Sequence, residues 1–218
     1  MSINKPYRSP QEMPASLPVF PLSGALLLPR GQIPLNIFEP RYIALVDAAM
    51  SHHRLIGLVQ PSGEGDNPPL QSIGCAGRIT QLSETGDERY MLTLSGVARF
   101  RIVEEMPAIT PFRTCQVSFD EFADDFMPRH GEELVDRDGV LRALKDFAKS
   151  NKLKVDWDSI HDAPNEALVN ALAMMSPFGP KEKQALLEAG DLRLRAEVLI
   201  AITEMESARS SGASNSLQ

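Results

Sequence analysis

The fold is decided by one stretch of this 218-residue chain, residues 89–106, which reads RYMLTLSGVARFRIVEEM. Apolar side chains share one parity along it, at Leu92, Leu94, Ala98, Phe100 and Ile102. Polar side chains share the other, at Thr93, Ser95, Arg99 and Arg101. This period of two predicts a half-buried strand with a polar outer face. Gly96 lies on the apolar parity without a side chain to pack, so we expect a bulge or bend there that turns a barrel corner.

The stretches around this strand predict further strands. They are Leu17–Leu22, Ala25–Leu28, Gln32–Phe38, Arg54–Gln60, Ile73–Ser83 and Arg113–Phe119. The density of proline in the first three confines them to sheet edges or barrel rims. One helix interrupts the pattern, because Tyr42, Leu45, Val46 and Ala49 repeat at helical spacing within Glu39–Ser51. Pro40 fits the first turn of that helix, where no hydrogen-bond donor is lost.

The chemistry changes after Phe119. Residues 120–133 are predicted to be an acidic linker, and apolar stripes at helical spacing follow it. Either Asp136 or Asp138 is expected to cap the first of these helices, and the last is expected to begin at Asp191. Short connections favour a small helical bundle. We therefore predict an α+β protein with a loose leader (1–13), a β-rich subdomain (14–119), a helical subdomain (120–206) and a disordered tail (207–218).

Charge disfavours one class of partner. The formal net charge is -7, and residues 1–118 carry 10 Lys+Arg and 10 Asp+Glu, whereas residues 119–218 carry 12 and 19. An acidic second half repels phosphate backbones, which disfavours general nucleic-acid binding. The most apolar stretch, Ala25–Leu28, is far too short to span a bilayer, so no membrane segment is expected. Residues 1–14 lack the apolar run of a secretory signal, which favours a cytoplasmic location.

No set of residues predicts catalysis. The sequence has no Gly-rich phosphate loop followed by Lys-Ser or Lys-Thr, and no Ser faces a Lys in the strand region. His52-His53 is interpreted as a helix-end or surface pair rather than a metal site. Cys75 and Cys115 both fall on inner strand parities and are expected to be buried thiols. We predict no catalytic residue, no metal and no cofactor.

A surface remains as the candidate site. Exposure-prone apolar residues near Phe38 and Tyr42 are interleaved with charged groups, a composition that polypeptide-binding patches use. The alternative is that Phe38 and Tyr42 only join the helix to the barrel. The predicted polypeptide-binding residues are Arg30, Pro34, Phe38, Glu39, Arg41, Tyr42 and Arg99.

The order of several motifs resembles a known family, the N-terminal substrate-binding domain of Lon proteases. The motifs are LPVFPL (17–22), Leu28-Pro29, IPLNIFEPRY (33–42), IGCAGRI (73–79), LSGVARFRI (94–102), KQALLE (183–188) and RLRAE (193–197). The resemblance covers residues 16–206 and implies a PUA-like pseudo-barrel followed by a helical bundle. It also implies capture of unfolded or tagged polypeptides, and it offers no catalytic residues to transfer. Because the chain ends where the ATPase and Ser-Lys peptidase domains would begin, we expect a stand-alone member that lacks both.

Three functions are weighed on this basis. The first is a non-catalytic polypeptide-binding module, an adaptor or holdase with unfolded or tagged proteins, and a separate protease or chaperone, as partners. The second is a small-molecule or RNA binder that uses the PUA-like barrel, by analogy of fold. The third is a hydrolase with an unfamiliar site.

Overall fold

The computed structural model describes residues 6–65, 67–87, 89–150 and 157–215 of the chain. It divides into two compact units, residues 1–128 and residues 129–218. The first unit holds six strands and one α-helix, and the second is helical. The predicted α+β class is thereby confirmed.

The elements of the first unit follow the predicted order. They are β1 (Ser16–Pro21), β2 (Gln32–Ile37), α1 (Pro40–Met50), β3 (Leu55–Pro61), β4 (Leu70–Thr85), β5 (Arg89–Glu105) and β6 (Arg113–Ser118), with 3₁₀ turns at Pro10–Glu12 and Asp120–Phe126. The predicted strand at Ala25–Leu28 is instead an irregular segment, and its three leucines are buried.

The pairing of the strands closes on itself. Their order is β2-β5-β4-β3-β1-β6, and β6 pairs again with β5. The first half of β5 pairs with β2, from Tyr90 to Ser95, and its second half pairs with β6, from Arg101 to Glu105. Most neighbours are antiparallel, but β1 runs parallel to β3. The closed circuit therefore consists of β5, β4, β3, β1 and β6. β2 is a terminal strand that pairs with β5.

The bend expected at Gly96 is present. Gly96 pairs with Gly77, but the next paired position on β5 is Ala98, so Val97 is an extra residue in the ladder. A Cβ atom on Gly96 would lie 2.0 Å from the carbonyl oxygen of Leu28. The backbone of this glycine also donates to the Gly31 carbonyl and accepts from the Arg30 amide, at 2.8 Å each. The bend thus binds the irregular segment before β2 to the sheet.

The outer face of β5 differs from the prediction. Arg99 was expected on a polar outer face, but it is 3% exposed. The 3₁₀ turn Asp120–Phe126 covers it, and the buried carboxylate of Asp125 accepts hydrogen bonds from Arg99 Nε and Nη2 at 2.9 Å each. The prediction of an acidic linker over 120–133 is therefore wrong for residues 120–126, which pack against the strands because Phe122 and Phe126 are buried.

The interior of the first unit is a continuous apolar cluster. Its members include Leu17, Val19, Leu55, Phe100 and Val117. Met13 belongs to it as well, and the ring of Tyr7 lies 4.6 Å from the guanidinium of Arg78. Within the described residues of the predicted loose leader, Tyr7 and Met13 therefore pack against the first unit, whereas residues 1–5 lie outside the described part.

The second unit contains five α-helices in the described residues. They are α2 (Arg137–Ser150), α3 (Trp157–Asp162), α4 (Asn165–Met175), α5 (Pro180–Glu188) and α6 (Leu192–Asn215). α2, α4 and α5 each contact α6. Asp136 caps α2 by accepting from the Gly139 amide at 2.9 Å, and Asp191 caps α6 by accepting from Leu194 at 2.7 Å. The expected cap of α2 is thereby found, at Asp136 rather than Asp138, and α6 begins at Leu192, one residue after the predicted Asp191.

The end of the chain also departs from the prediction. A disordered tail was expected from residue 207, yet α6 continues to Asn215. Residues 216–218 lie outside the described part. Within the described residues, every helix is too short or too polar to cross a bilayer.

Candidate functional site

Four of the predicted polypeptide-binding residues lie around the N-terminus of α1, namely Phe38, Glu39, Arg41 and Tyr42. Pro40 occupies the first turn and Glu39 is the N-cap residue. Phe38 precedes the cap and is 60% exposed, with the guanidinium of Arg89 lying 5.9 Å from its ring centroid. A large aromatic side chain at this exposure is available to an apolar partner.

Tyr42 joins the helix to the sheet. Only 9% of the residue is exposed, and its ring meets Phe20 edge-on with centroids 4.5 Å apart. The guanidinium of Arg41 lies 4.5 Å from the same ring and bonds Glu39 through Nε at 2.9 Å. Tyr42 therefore joins α1 to the sheet, as in the alternative interpretation of these two residues. The exposed Phe38 does not.

Tyr42 also lines a cleft of about 400 Å³. The walls come from α1, from the β3–β4 loop and from the β5–β6 loop. They comprise Pro21, Arg41, Tyr42, Pro61, Gly65, Asn67, Pro68, Glu105, Ala108, Thr110, Pro111, Phe112 and Arg113. Four prolines and two aromatic rings make these walls stiff, which limits the entropy lost when a ligand enters. Polar and charged side chains contribute nearly as much of the lining as apolar ones.

Arg113 is held in place at one side of the cleft. It donates to Glu105 through Nε, at 2.7 Å, and through Nη2, which is a bidentate pair. Its Nη1 donates to the Pro68 carbonyl at 2.7 Å. These contacts fix the guanidinium between the two loops and use both carboxylate oxygens of Glu105.

The hydroxyl of Tyr42 has no hydrogen-bond partner among the described residues. Burial raises its pKa above the usual range for tyrosine, with Glu39 adding to the rise and Arg41 and Arg113 opposing it. The hydroxyl therefore stays protonated near neutral pH and can donate to an acceptor in the cleft.

The remaining predicted site residues lie elsewhere. Arg30 is exposed with a positive φ of 65°, and its Nη1 donates to the backbone carbonyl of Asp125 at 2.6 Å. Arg99 binds the carboxylate of the same residue, so these two arginines meet at the 3₁₀ turn and not in the cleft. Because Arg99 is buried, it is unsuited to contact a polypeptide. Pro34 lines a separate groove of about 530 Å³ beside Leu82 and Met91.

Three parts of the cleft were missed from the sequence, namely Arg113, the β3–β4 loop and the β5–β6 loop. That loop reads MPAITPF over residues 106–112, and Ile109 within it is 93% exposed. Apolar residues in a connection between two strands were the available signal, because loops that serve no contact are usually polar.

The cysteines and histidines lie where they were expected. Cys75 and Cys115 are free thiols and both are buried. His52 follows α1, and its Nδ1 lies 2.9 Å from the carbonyl oxygen of Ala48, which fits a helix-end contact. Over the part of the chain that is described, no three His, Cys, Asp or Glu side chains are grouped to hold a metal ion.

A further groove lies on the second unit, between α2 and α3. Its volume is about 530 Å³, and Leu141, Trp157 and Ile160 line it. Trp157 is 42% exposed. The predicted site residues Arg41 and Tyr42 line the cleft of the first unit and not this groove, so the cleft is the candidate site.

Comparison with known proteins identifies the family. Residues 16–204 match the model of the ATP-dependent protease La (LON) substrate-binding domain. This chain belongs to that family. The resemblance drawn from the ordered motifs is thereby confirmed.

Similar Lon proteins are full-length proteases of bacteria. Lon protease 2 of Myxococcus xanthus is 27% identical over 201 residues, which are 87% of this chain and 24% of that protein. The Lon protease of Syntrophus aciditrophicus is 37% identical over 100 residues, which are 43% of this chain and 13% of that protein. The chain thus spans about a quarter or less of the curated Lon relatives it matches.

Two solved Lon domains share the fold. The N-terminal domain of Mycobacterium avium complex Lon protease aligns with a TM-score of 0.64 at 20% identity, covering 87% of this chain and 98% of that one. The Lon N-terminal domain protein from Xanthomonas campestris aligns with a TM-score of 0.58 at 27% identity, covering 85% and 97%.

Proposed function

We propose that this Lon-family domain binds extended polypeptide segments without catalysing a reaction on them. The observation that carries the proposal is the cleft beside α1, where stiff proline and aromatic side chains lie among hydrogen-bond donors. Apolar walls with a few polar groups that fix orientation are what a peptide site requires. The family adds that a domain of this kind binds substrate polypeptides in a proteolytic setting.

The surface beside the cleft extends the apolar area. Phe38 is exposed at the N-terminus of α1, and Ile109 and Met106 are exposed on the β5–β6 loop at 93% and 42%. Unfolded chains expose apolar segments that folded proteins bury, so such a surface distinguishes the two. The role that follows is an adaptor or holdase for unfolded or tagged proteins, working with a separate protease or chaperone.

Binding to an unfolded model protein tests the proposal. A permanently unfolded, fluorescently labelled protein is titrated with this chain, and its anisotropy is measured. We expect saturable binding, weakened about tenfold by Phe38→Ala, because an exposed aromatic anchor typically contributes more than about 1 kcal/mol.

Leu134→Ala is the matched control. Leu134 is 61% exposed, close to the 60% of Phe38, but it lies in the second unit. Its replacement is expected to leave binding unchanged. Absence of binding tighter than about millimolar would refute the proposal, and equal weakening by both variants would refute the role of Phe38.

A further inference from the structure

Several polar groups at the cleft already bond one another. The carboxylate of Glu105 accepts from Arg113 with both oxygens, and Glu39 accepts from Arg41. The hydroxyl of Thr110 donates to the Phe112 carbonyl at 2.7 Å. The described carboxylates of Glu105 and Glu39 and the Thr110 hydroxyl are therefore engaged by neighbouring groups, while N–H and O–H donors at the cleft remain available.

Three groups supply those donors. A guanidinium has five N–H groups, and the contacts of Arg41 and Arg113 within the cleft use only some of them. The hydroxyl of Tyr42 is the third, and it lines the cleft without a partner among the described residues. The residue as a whole is buried, but its hydroxyl is accessible at the cleft, where an acceptor atom of a ligand can bond it.

We infer that the cleft recognises a carboxylate on an extended apolar segment, namely an Asp or Glu side chain flanked by apolar residues. The carboxylate accepts from Tyr42 Oη and from the guanidinium groups of Arg41 and Arg113. Two guanidinium groups favour a charged acceptor over a neutral carbonyl, because charge-assisted hydrogen bonds are about twice as strong as neutral ones. This inference rests on the proposed polypeptide binding and names the chemistry that selects the segment.

Apolar residues of the bound segment that flank its carboxylate can contact the apolar side chains of the β5–β6 loop. Phe112 and Pro111 line the cleft, and the loop continues through the exposed Ile109. A chain that leaves the cleft along this loop keeps apolar contacts on its path. An internal acidic residue is therefore a better match than an isolated anion.

A set of three short labelled peptides tests this inference by fluorescence anisotropy. All have the same apolar flanks. The first has a central Glu and a blocked, amidated C-terminus. The second has Gln in place of that Glu. The third has the central Gln and a free C-terminal carboxylate. We expect the Glu peptide to bind about tenfold more tightly than the Gln peptide, as is typical of a hydrogen-bonded charge.

Variants locate the effect in the cleft. Tyr42→Phe removes only the hydroxyl and keeps the ring against Phe20, so the fold is retained and the preference for Glu should fall to about threefold or less. Arg41→Gln should weaken the Glu peptide and leave the Gln peptide within about twofold. Tyr90→Phe is the matched control, because the Tyr90 hydroxyl bonds Asp47 at 2.9 Å and lies outside the cleft. Circular dichroism verifies the fold of each variant.

The outcomes separate this inference from the proposed function. Equal binding of the Glu and Gln peptides overturns carboxylate recognition and leaves polypeptide binding intact. Preference for the free C-terminus over the internal Glu overturns the assignment to an internal side chain. A preference that survives Tyr42→Phe and Arg41→Gln together places recognition elsewhere and overturns the site. No binding of any peptide, together with no binding of the unfolded protein, removes the proposed function as well.

Discussion

At the scale of single residues, Tyr42 shows why the choice of substitution matters. Its ring packs against Phe20 in the interior while its hydroxyl lines the cleft. Replacement by alanine would empty a buried volume and cost about 3 kcal/mol or more, so lost binding could reflect lost structure. Replacement by phenylalanine separates the two roles.

A methyl group added at Gly96 should lower the stability of the fold strongly. Its Cβ would lie 2.0 Å from the backbone oxygen of Leu28 and 2.8 Å from its carbonyl carbon, so the two backbones would have to separate. We predict that Gly96→Ala lowers the free energy of unfolding by about 3 kcal/mol, measured by urea denaturation. Gly86→Ala is the control, because its Cβ meets nothing within 4 Å. Equal stability of the two variants would contradict the close approach.

Cys115 gives a prediction for alkaline pH. Burial raises the pKa of its thiol from 9.0 to about 11, with Glu105 adding to the rise and Arg113 opposing it. The folded state then holds the proton more tightly than the unfolded state, so the stabilisation is complete below pH 9 and is lost as the pH rises towards 11. The unfolding free energy of the wild type should fall more steeply over that interval than that of Cys115→Ala. Parallel curves would show that the thiol does not titrate with this shift.

The cleft shows what could be inferred from the sequence at this scale and what could not. The IPLNIFEPRY motif singled out Phe38, Arg41 and Tyr42, because aromatic and arginine side chains clustered around a helix start. Arg113 lies about seventy residues further along the chain and reaches the same cleft only through the pairing of β6 with β1 and β5. Such proximity depends on the closure of the sheet, which local pattern does not encode.

At the scale of elements, the 3₁₀ turn Asp120–Phe126 depends on one buried ion pair. The Asp125 carboxylate accepts from the Arg99 backbone amide at 2.8 Å and from its guanidinium, and that guanidinium lies 4.5 Å from the Phe122 ring. The pair fixes the turn over β5 and explains why the strand is buried on both faces at this point. Alternation along β5 predicted a solvent-facing Arg99, because a period of two cannot reveal a later segment that covers the outer face.

We predict that Asp125→Ala lowers the free energy of unfolding by about 3–5 kcal/mol, since it leaves the Arg99 guanidinium buried without its counter-charge. Glu121→Ala is the matched control. It removes the neighbouring pair with Arg101, whose two side chains are 45% and 48% exposed, and should cost less than about 1 kcal/mol. Chemical denaturation of both variants measures the difference. Similar losses would show that burial does not separate the two pairs.

At the scale of the whole molecule, charge separates the two binding functions considered from the sequence. The net charge of -7 comes entirely from residues 119–218. The cleft holds two arginines, which suit a single anionic group but do not form a track for successive phosphates. This favours a polypeptide over RNA.

We therefore predict no binding of single-stranded RNA tighter than about 10⁻⁴ M near 0.15 M salt, measured by anisotropy of a labelled oligonucleotide. A basic RNA-binding domain serves as the positive control in the same assay. Affinity that rises steeply as salt is lowered would contradict the prediction and favour the RNA-binding alternative.

The terminal position of β2 has a consequence for how a captured chain is held. An exposed strand edge can pair with the backbone of another extended chain and so start aggregation. This risk is greatest for a protein that binds unfolded chains. Pro34 lies in the middle of β2 and supplies no N–H, and the exposed positions on either side of it are the polar Gln32 and Asn36. A continuous ladder cannot grow across that edge. Under the proposed function, a bound polypeptide would be held through side chains in the cleft, by contacts that can be released, and not by strand pairing on this edge.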